Sequence, residues 1–373
     1  MTEYDIEKLL EQLEQHPDDD QLLAIIALYY IENPEGNKDL EYLEKAYQTN
    51  PSIENTHNLA FWLDHEYGEE ERSIQLQEQA IFLQPHSYYP YASYAQMLTF
   101  STNCLKDNFT SKSVECYRKI ISYNQLALDK LSNIAVNHKY RHVHKYFYFY
   151  NNMACAYVML DNYEQACKYF AKSMNLMKDL LISDVEILPI LVLEENIYYV
   201  LLNQIRLHIL LGDRANALVL LTEAKQSSSY CELEIAELYA RLGDYQTAYE
   251  ISINENIDES WEWIFYAIYQ ANQGNWIDRL TANYQDKLSL LAVYNLEVKR
   301  LKLDDTKSLD DELNNIKQQE IKISKLARMM SSNIYPKPKE NIKSTFRSMY
   351  CGCLLFGCWI HGCLVDDSNK WYE

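Results

Sequence analysis

The chain has 373 residues, of which 48% are hydrophobic and 24% charged, and it contains only 8 Gly and 8 Pro. Sparse Gly and Pro without a regular β alternation favour an all-helical protein. The formal net charge of −20 argues against a nucleic-acid-binding surface, because such a surface needs a basic stripe to neutralise phosphates.

The cysteines and the first residues indicate a reducing compartment. The chain has nine cysteines, an odd number, and most lie within helical patterns, where a reduced thiol behaves as a small hydrophobic group. The first residues, MTEYD, are acidic and lead into a polar helix rather than a signal peptide. We therefore expect a cytoplasmic protein.

Three prolines stand at a regular interval near the start of the chain. Pro17, Pro51 and Pro85 are each 34 residues apart, and each follows a stretch of apolar residues at helical spacing. Proline cannot continue the helix before it, so each one marks the end of a unit. Residues 1–19 are therefore predicted to form an N-terminal capping helix.

Repeated units follow this helix. They begin near Asp20, Ile53 and Tyr88, and the turn of the second unit, which contains Gly68, holds one extra residue. The third unit has a longer polar turn and an unusually long second helix, over about 112–136.

The next unit, residues 147–178, has the most regular pattern. Large residues alternate with small ones at helical spacing on both sides of a polar turn at 160–163, which predicts two antiparallel helices in close contact. This order resembles the tetratricopeptide repeat (TPR), a helix pair of ~34 residues. The residues that match the repeat are Tyr150, Met153, Ala154, Tyr157, Ala166, Phe170 and Ser173.

The TPR resemblance implies the fold of most of the chain. Later units have turns at Gly212, Gly243 and Gly274, which are 31 residues apart. The resemblance implies an all-α, right-handed α-solenoid of about seven TPR-like helix pairs with C-terminal capping helices, and we expect the array to span residues 20–284.

Three further segments follow the array. Amphipathic patterns without TPR spacing predict the C-terminal capping helices at 285–332. Pro336 and Pro338 indicate a linker at 333–343. Residues 344–373 are predicted to be a separate Cys-rich hydrophobic tail.

Asparagine recurs at the sixth position of the first helix in three units, as Asn58, Asn152 and Asn203. In the TPR family this position faces the concave groove, and the resemblance implies that these amides bond the backbone of an extended peptide. An Asn amide suits that role because it offers both a donor and an acceptor. By the same register, the groove is also predicted to contain Tyr148, Asn151, Tyr199 and Arg206. The alternative is that all seven are ordinary polar residues on a solvated helix face.

A more specific TPR signature is missing. The carboxylate clamp of chaperone-binding TPR proteins needs Lys and Asn in one unit, Asn in the next, and Lys and Arg in a third. Asn152 matches the middle residue, but the unit before has Ala92 and Gln96, and the unit after has Tyr199 and Asn203. Binding of chaperone C-termini is therefore disfavoured.

The basic segment 137–145, NHKYRHVHK, contains His138, His142 and His144. It is open to interpretation as a metal site, as a basic patch for a peptide or carboxylate, or as an exposed connection between repeats. Neighbouring Lys and Arg residues make it a poor site for a cation, and we expect no metal there.

The tail has three competing interpretations. Residues 349–365 carry no formal charge, and they include Cys351, Cys353, Cys358, His361 and Cys363. This stretch is predicted to be a short membrane anchor or an acylated one, a zinc site, or a hydrophobic partner-docking or poorly ordered tail. The zinc interpretation is weak because paired CxxC motifs are missing.

The favoured function is that of a protein- or peptide-binding scaffold. The sequence contains no phosphate-binding glycine loop, no HExxH pair and no nucleophile elbow, so we expect no enzymatic activity, cofactor or small-molecule substrate. The alternatives are a peptide-sensing regulatory receptor, and a membrane-tethered assembly factor that uses residues 349–365. The partner, the pathway and the oligomeric state do not follow from the sequence.

Overall fold

The computed structural model describes residues 6–101, 111–133, 145–182, 190–227, 231–252, 342–351 and 354–356, with the single residues 285, 289 and 321. The chain folds into two compact units. The first contains residues 1–204 and 346–373, and the second contains residues 205–345. The array predicted for residues 20–284 therefore spans both units.

Every regular element in the described part of the chain is helical, and the fold is an all-α solenoid of TPR-like helix pairs. A π-helical turn over Leu63–Tyr67 follows α4, and a 3₁₀ turn covers Ile342–Thr345. The α-helices are α1 (Ile6–Gln15), α2 (Asp20–Glu32), α3 (Lys38–Thr49), α4 (Ile53–Trp62), α5 (Glu70–Leu83), α6 (Tyr89–Phe100), α7 (Ser111–Ser132), α8 (Lys145–Met159), α9 (Tyr163–Leu181), α10 (Ile190–Leu210), α11 (Arg214–Ala224), α12 (Glu232–Arg241) and α13 (Tyr245–Ser252).

Consecutive helices pack in pairs. In the first unit α2 packs on α3, α4 on α5, α6 on α7 and α8 on α9, and each of these pairs contacts the next one. Helix α1 packs on α2, where Leu10 and Leu13 lie beside Ile26. In the second unit α12 packs on α13. Each pair buries its apolar face against its neighbours, as in a repeat array.

Small residues lie between α8 and α9, where the repeat pattern predicted them. Ala154, Ala166 and Ser173 are fully buried. The Ser173 hydroxyl donates to the Phe147 carbonyl at 2.8 Å, so a side chain of one helix reaches the main chain of the other. Such contact is available only where small side chains allow the two backbones to approach closely.

The extra residue in the turn after α4 is accommodated by the π-helical turn. The turn ends at Gly68, whose φ of 65° lies in the left-handed region that glycine adopts without strain. The Gly68 N–H donates to the carbonyl of Leu63, five residues before it. A wider i→i+5 turn takes up one residue without disturbing the pairing of α4 with α5.

The three regularly spaced prolines end helices as predicted. Helices α1, α3 and α5 end at Gln15, Thr49 and Leu83, and each of these residues lies two positions before a proline. This prediction is confirmed.

Several predicted features lie outside the described residues. They are the helix pair around Gly274, the capping helices at 285–332 apart from the single residues named above, most of the linker at 333–343, and residues 137–144 of the basic segment.

Candidate functional site

Helices of the first unit line a groove, and a segment from near the C-terminus of the chain lies in it. The groove is formed by α4, α6, α8 and the part of α10 up to residue 204. Its occupant, here called the tail segment, consists of residues 346–351 and 354–356, most of which have no regular secondary structure.

Three asparagines each bond both main-chain groups of one tail residue. The amide of Asn203 donates to the Arg347 carbonyl at 2.8 Å and accepts from the Arg347 N–H at 2.9 Å. Asn152 makes the same pair of bonds with Met349, both at 2.7 Å. A side chain that binds in this way recognises a peptide unit and not the residue that carries it.

The third such pair lies at the other end of the tail segment. Asn58 donates to the Phe356 carbonyl at 3.1 Å and accepts from the Phe356 N–H at 2.7 Å. The same two-bond arrangement therefore occurs in α4, α8 and α10.

The middle of the tail segment is bonded by other side chains. Gln96 accepts from the Cys351 N–H at 2.8 Å, and the Lys145 ammonium donates to the Cys351 carbonyl at 2.5 Å. The ring of His57 contacts the Leu354 carbonyl through Nε2 at 2.8 Å. Because a carbonyl can only accept, Nε2 carries the proton.

The tail segment runs opposite to the order of the helices. Arg347 lies on α10, Met349 on α8, Cys351 between α6 and α8, and Phe356 on α4. The first three contacts fall on alternate residues, as expected for an extended chain, in which every second residue faces the same way.

The amide groups of the groove are buried beneath the tail segment. Asn58, Asn151 and Asn203 are fully buried, and Asn152 and Gln96 are nearly so. These five side chains therefore do not lie on a solvated helix face. Here Asn58, Gln96, Asn152 and Asn203 are called the amide ladder.

The side chains of the tail segment are mostly apolar and buried. Leu354 and Leu355 have no exposed surface, and Met349 and Cys351 are 5% and 2% exposed. Tyr350, by contrast, is 39% exposed. The groove thus combines main-chain hydrogen bonds with the burial of apolar side chains, and the second contribution requires uncharged side chains at the buried positions.

Phe356 is the most enclosed aromatic residue of the tail segment. Its ring centroid lies 4.4 Å from that of Tyr89 and 5.2 Å from that of His57, in tilted and edge-to-face arrangements. Ile53 and Ala80 complete its apolar surroundings. Aromatic rings at such distances and angles attract one another beyond their area burial.

Burial also determines the charge state of His57. Removal of the imidazole from water lowers its pKa to about 4, and the hydrogen bond to the Leu354 carbonyl opposes this effect only in part. At neutral pH the ring is therefore uncharged, which suits its position beside apolar and aromatic groups.

The structure brings most of the predicted groove residues to the tail segment. Asn151 donates to the Arg347 carbonyl at 3.1 Å, next to Asn203. The ring of Tyr199 lies 5.3 Å from the Arg347 guanidinium carbon, within cation–π range. Their role in binding a separate peptide stays a prediction.

Two predicted groove residues have other contacts. Tyr148 is buried, and its hydroxyl accepts from the Asn196 amide at 3.5 Å. Arg206 belongs to the second unit, where its guanidinium lies 3.7 Å from the Glu234 carboxylate. The groove role of these two residues stays a prediction.

Sequence reasoning missed Gln96 and His57, and it included Lys145 only as part of the basic segment 137–145. Gln96 stands where the carboxylate clamp has Asn, and its amide could have been recognised as a substitute with one more methylene. Lys145 is the last residue of the basic segment, and His57 directly precedes Asn58. None of the three repeats from unit to unit, so the repeat pattern gave no signal for them.

The described residues contain no group of three or more side chains suited to hold a metal ion. They also contain no helix long and apolar enough to cross a membrane. Cys353, Cys358, His361 and Cys363 lie outside the described part of the tail. The membrane and zinc interpretations therefore stay predictions, while residues 349–351 and 354–356 lie in the groove.

No family model matches this chain, and no curated protein matches it. Among solved structures, the crystal structure of yeast Tom70 is similar to it, with 14% sequence identity and a TM-score of 0.32. The similarity covers 72% of this chain and 58% of the Tom70 chain, less than two thirds of that chain's length. The TPR-like fold is therefore stated from the helix pairs described above, and nothing about partners is transferred from Tom70.

Proposed function

We propose that this chain is a protein- or peptide-binding scaffold that captures an extended segment in its groove. The observation that supports this proposal best is the two-bond pairing that Asn58, Asn152 and Asn203 each make with one residue. These bonds use only main-chain groups, which every residue except proline provides. A segment from another protein would be held by the same bonds.

The binding energy of such a groove depends on the cost of leaving its amides unpaired. A buried donor or acceptor without a partner costs roughly 1–3 kcal/mol, whereas each bond that is made contributes about 1 kcal/mol net. An occupant that bonds every amide of the amide ladder therefore binds more tightly than one that leaves an amide unpaired. Apolar side chains beside the ladder add the area-dependent term.

The test requires a full-length chain whose groove is open. We define the tail-released variant as Met349→Pro with Leu354→Asp. Proline lacks the N–H that donates to the Asn152 side chain. An aspartate at the fully buried position 354 would be left charged and unsolvated. Neither substitution alters a helix that lines the groove.

We expect the tail-released variant to bind a fluorescent synthetic peptide with the sequence of residues 345–356, measured by anisotropy under reducing conditions. Adding Asn152→Ala and Asn203→Ala should weaken this binding at least ~10-fold, which corresponds to only 1.4 kcal/mol. Far-UV circular dichroism should show unchanged helicity. Equal affinity with and without the two alanines would contradict the proposed function.

A second pair of peptides tests whether the groove recognises the main chain. N-methylation at the Met349 position removes the N–H that donates to the Asn152 side chain, and it should abolish binding. N-methylation at the Ser348 position is the matched control, because neighbouring N–H groups of an extended chain point to opposite sides. The peptide-sensing receptor and the membrane-tethered assembly factor stay predictions of the sequence.

A further inference from the structure

The occupant of the groove is part of the same chain that forms the groove. Arg347 is 144 residues from its partner Asn203, and Phe356 is 298 residues from its partner Asn58. In each contact, an asparagine amide bonds the main chain of the tail segment, and an incoming segment would need that same amide. A partner and the tail segment therefore cannot use the amide ladder at the same time.

We propose that the tail segment is an internal competitor that closes the groove until a partner segment of the same chemistry, extended and apolar at its buried positions, displaces it. This inference rests on the proposed function, because it concerns the regulation and the partner class of that same groove.

Attachment to the chain makes the tail segment an effective competitor. A tethered ligand acts at an effective concentration that is set by its connection to the chain and does not fall when the protein is diluted. The apparent affinity for a free segment is reduced by the fraction of molecules whose groove is open. A segment that binds an open groove well therefore binds the complete chain much more weakly.

The surroundings of the tail segment define the chemistry of a partner. The side chains at 349, 351, 354, 355 and 356 are at most 6% exposed, so a charge at any of these positions would be buried. The side chains at 347 and 350 are exposed, and these positions tolerate polar residues. At position 356 the rings of Tyr89 and His57 favour an aromatic residue.

The first experiment compares the wild-type chain with the tail-released variant, using the same labelled 345–356 peptide. We expect the variant to bind the peptide at least ~10-fold more tightly than the wild type. Leu191→Asp is the matched control, because Leu191 is 75% exposed and the same substitution there leaves the tail segment in place. This control should bind like the wild type.

The outcomes separate the two proposals. If the wild type, the control and the tail-released variant bind the peptide equally, the groove is functional but the tail segment does not close it, and the inference is wrong. If the tail-released variant does not bind the peptide, the proposed function itself is contradicted, and the inference falls with it.

A second measurement uses the wild-type chain alone and does not depend on how any variant folds. Hydrogen exchange should show protected amides at Met349 and Phe356, and a saturating concentration of the peptide should remove that protection. Persistent protection in the peptide-bound protein would overturn the proposal. A dimer that loses this protection when it dissociates on dilution would also overturn it, because the occupant would then come from a second copy.

Peptide variants test the partner class. An aspartate at the Leu354 position should weaken binding to the tail-released variant at least ~10-fold, because it buries a charge. An aspartate at the half-buried Ser348 position should change binding by no more than about threefold. Equal tolerance at both positions would contradict the apolar partner class.

Discussion

Asn152 and Met349 exchange two hydrogen bonds of 2.7 Å, although 197 residues separate them. The asparagine acts toward methionine as one strand of a β-sheet acts toward another, by offering one donor and one acceptor to a single residue. Asn58 repeats this relationship with Phe356, and Asn203 repeats it with Arg347. In this groove, side-chain amides from successive helical repeats therefore bond a main chain in the way that a neighbouring strand would.

Asn152→Asp is expected to release the centre of the tail segment. Aspartate keeps the shape of asparagine but has no N–H for the Met349 carbonyl, and it places a negative charge near that oxygen. Hydrogen exchange at the Met349 amide should accelerate at least ~10-fold at neutral pH. Asn175→Asp, at an exposed position of α9, is the matched control and should leave the exchange unchanged. Unaltered protection in Asn152→Asp would show that this amide does not hold the tail.

Phe356→Ala is expected to free the end of the tail segment and to leave its centre bound. The substitution removes the ring that packs on Tyr89 and His57, and in a protein core such a change costs on the order of 3 kcal/mol. The amide at position 356 should lose protection while that of Met349 keeps it. Phe82→Ala removes an aromatic ring from a position of α5 that is 86% exposed, and it should affect neither amide. Loss of protection at both amides in Phe356→Ala would contradict this localisation.

Acid should weaken the docking of the tail segment through His57. The pKa of this residue is about 4 with the tail in place, and exposure on release returns it toward 6.5. Between these values the released state binds a proton that the docked state does not, so docking weakens as the pH falls from about 6.5 to 4, by up to about tenfold per pH unit. Exchange of the Phe356 amide, corrected for its intrinsic pH dependence, measures this effect.

His57→Gln provides the control for this pH dependence. Glutamine can still donate to the Leu354 carbonyl, but it does not titrate. Burial raises the pKa of Asp64 to about 6, and its protonation favours the folded state as the pH falls, opposite to the effect of His57. Because Asp64 is present in both proteins, the difference between them isolates His57. Identical pH profiles would exclude His57 as the titrating group.

Ala166→Leu should destabilise the pair α8–α9. Ala166 is fully buried between the two helices, and three added carbon atoms would force them apart at a cost of ~1–3 kcal/mol. The free energy of unfolding in urea measures this loss. Ala171→Leu lies at an exposed position of the same helix and should change it by no more than about 0.5 kcal/mol. An equal effect of both substitutions would argue against close packing at Ala166.

Sequence reasoning identified the helix pairs because they depend on local patterns. Ala154, Ala166 and Ser173 fall at fixed positions within one repeat, and the carbonyl that the Ser173 hydroxyl bonds lies within the same helix pair. The three asparagines were found in the same way, because they occupy the same position in three units. Lys145 and His57 occur only once each, and no repeat pattern marks them.

The sequence by itself determined the all-helical repeat, its turns and the positions of the asparagines, since helical periodicity and small residues act over a few residues of chain. Only the tertiary structure decided what lies on those asparagines. The tail segment is bound mainly through N–H and C=O groups, which are the same in every residue, so its sequence carries little sign of the partner that it contacts. Its apolar side chains indicate burial, but a membrane, a partner protein or a groove of the same chain could each bury them.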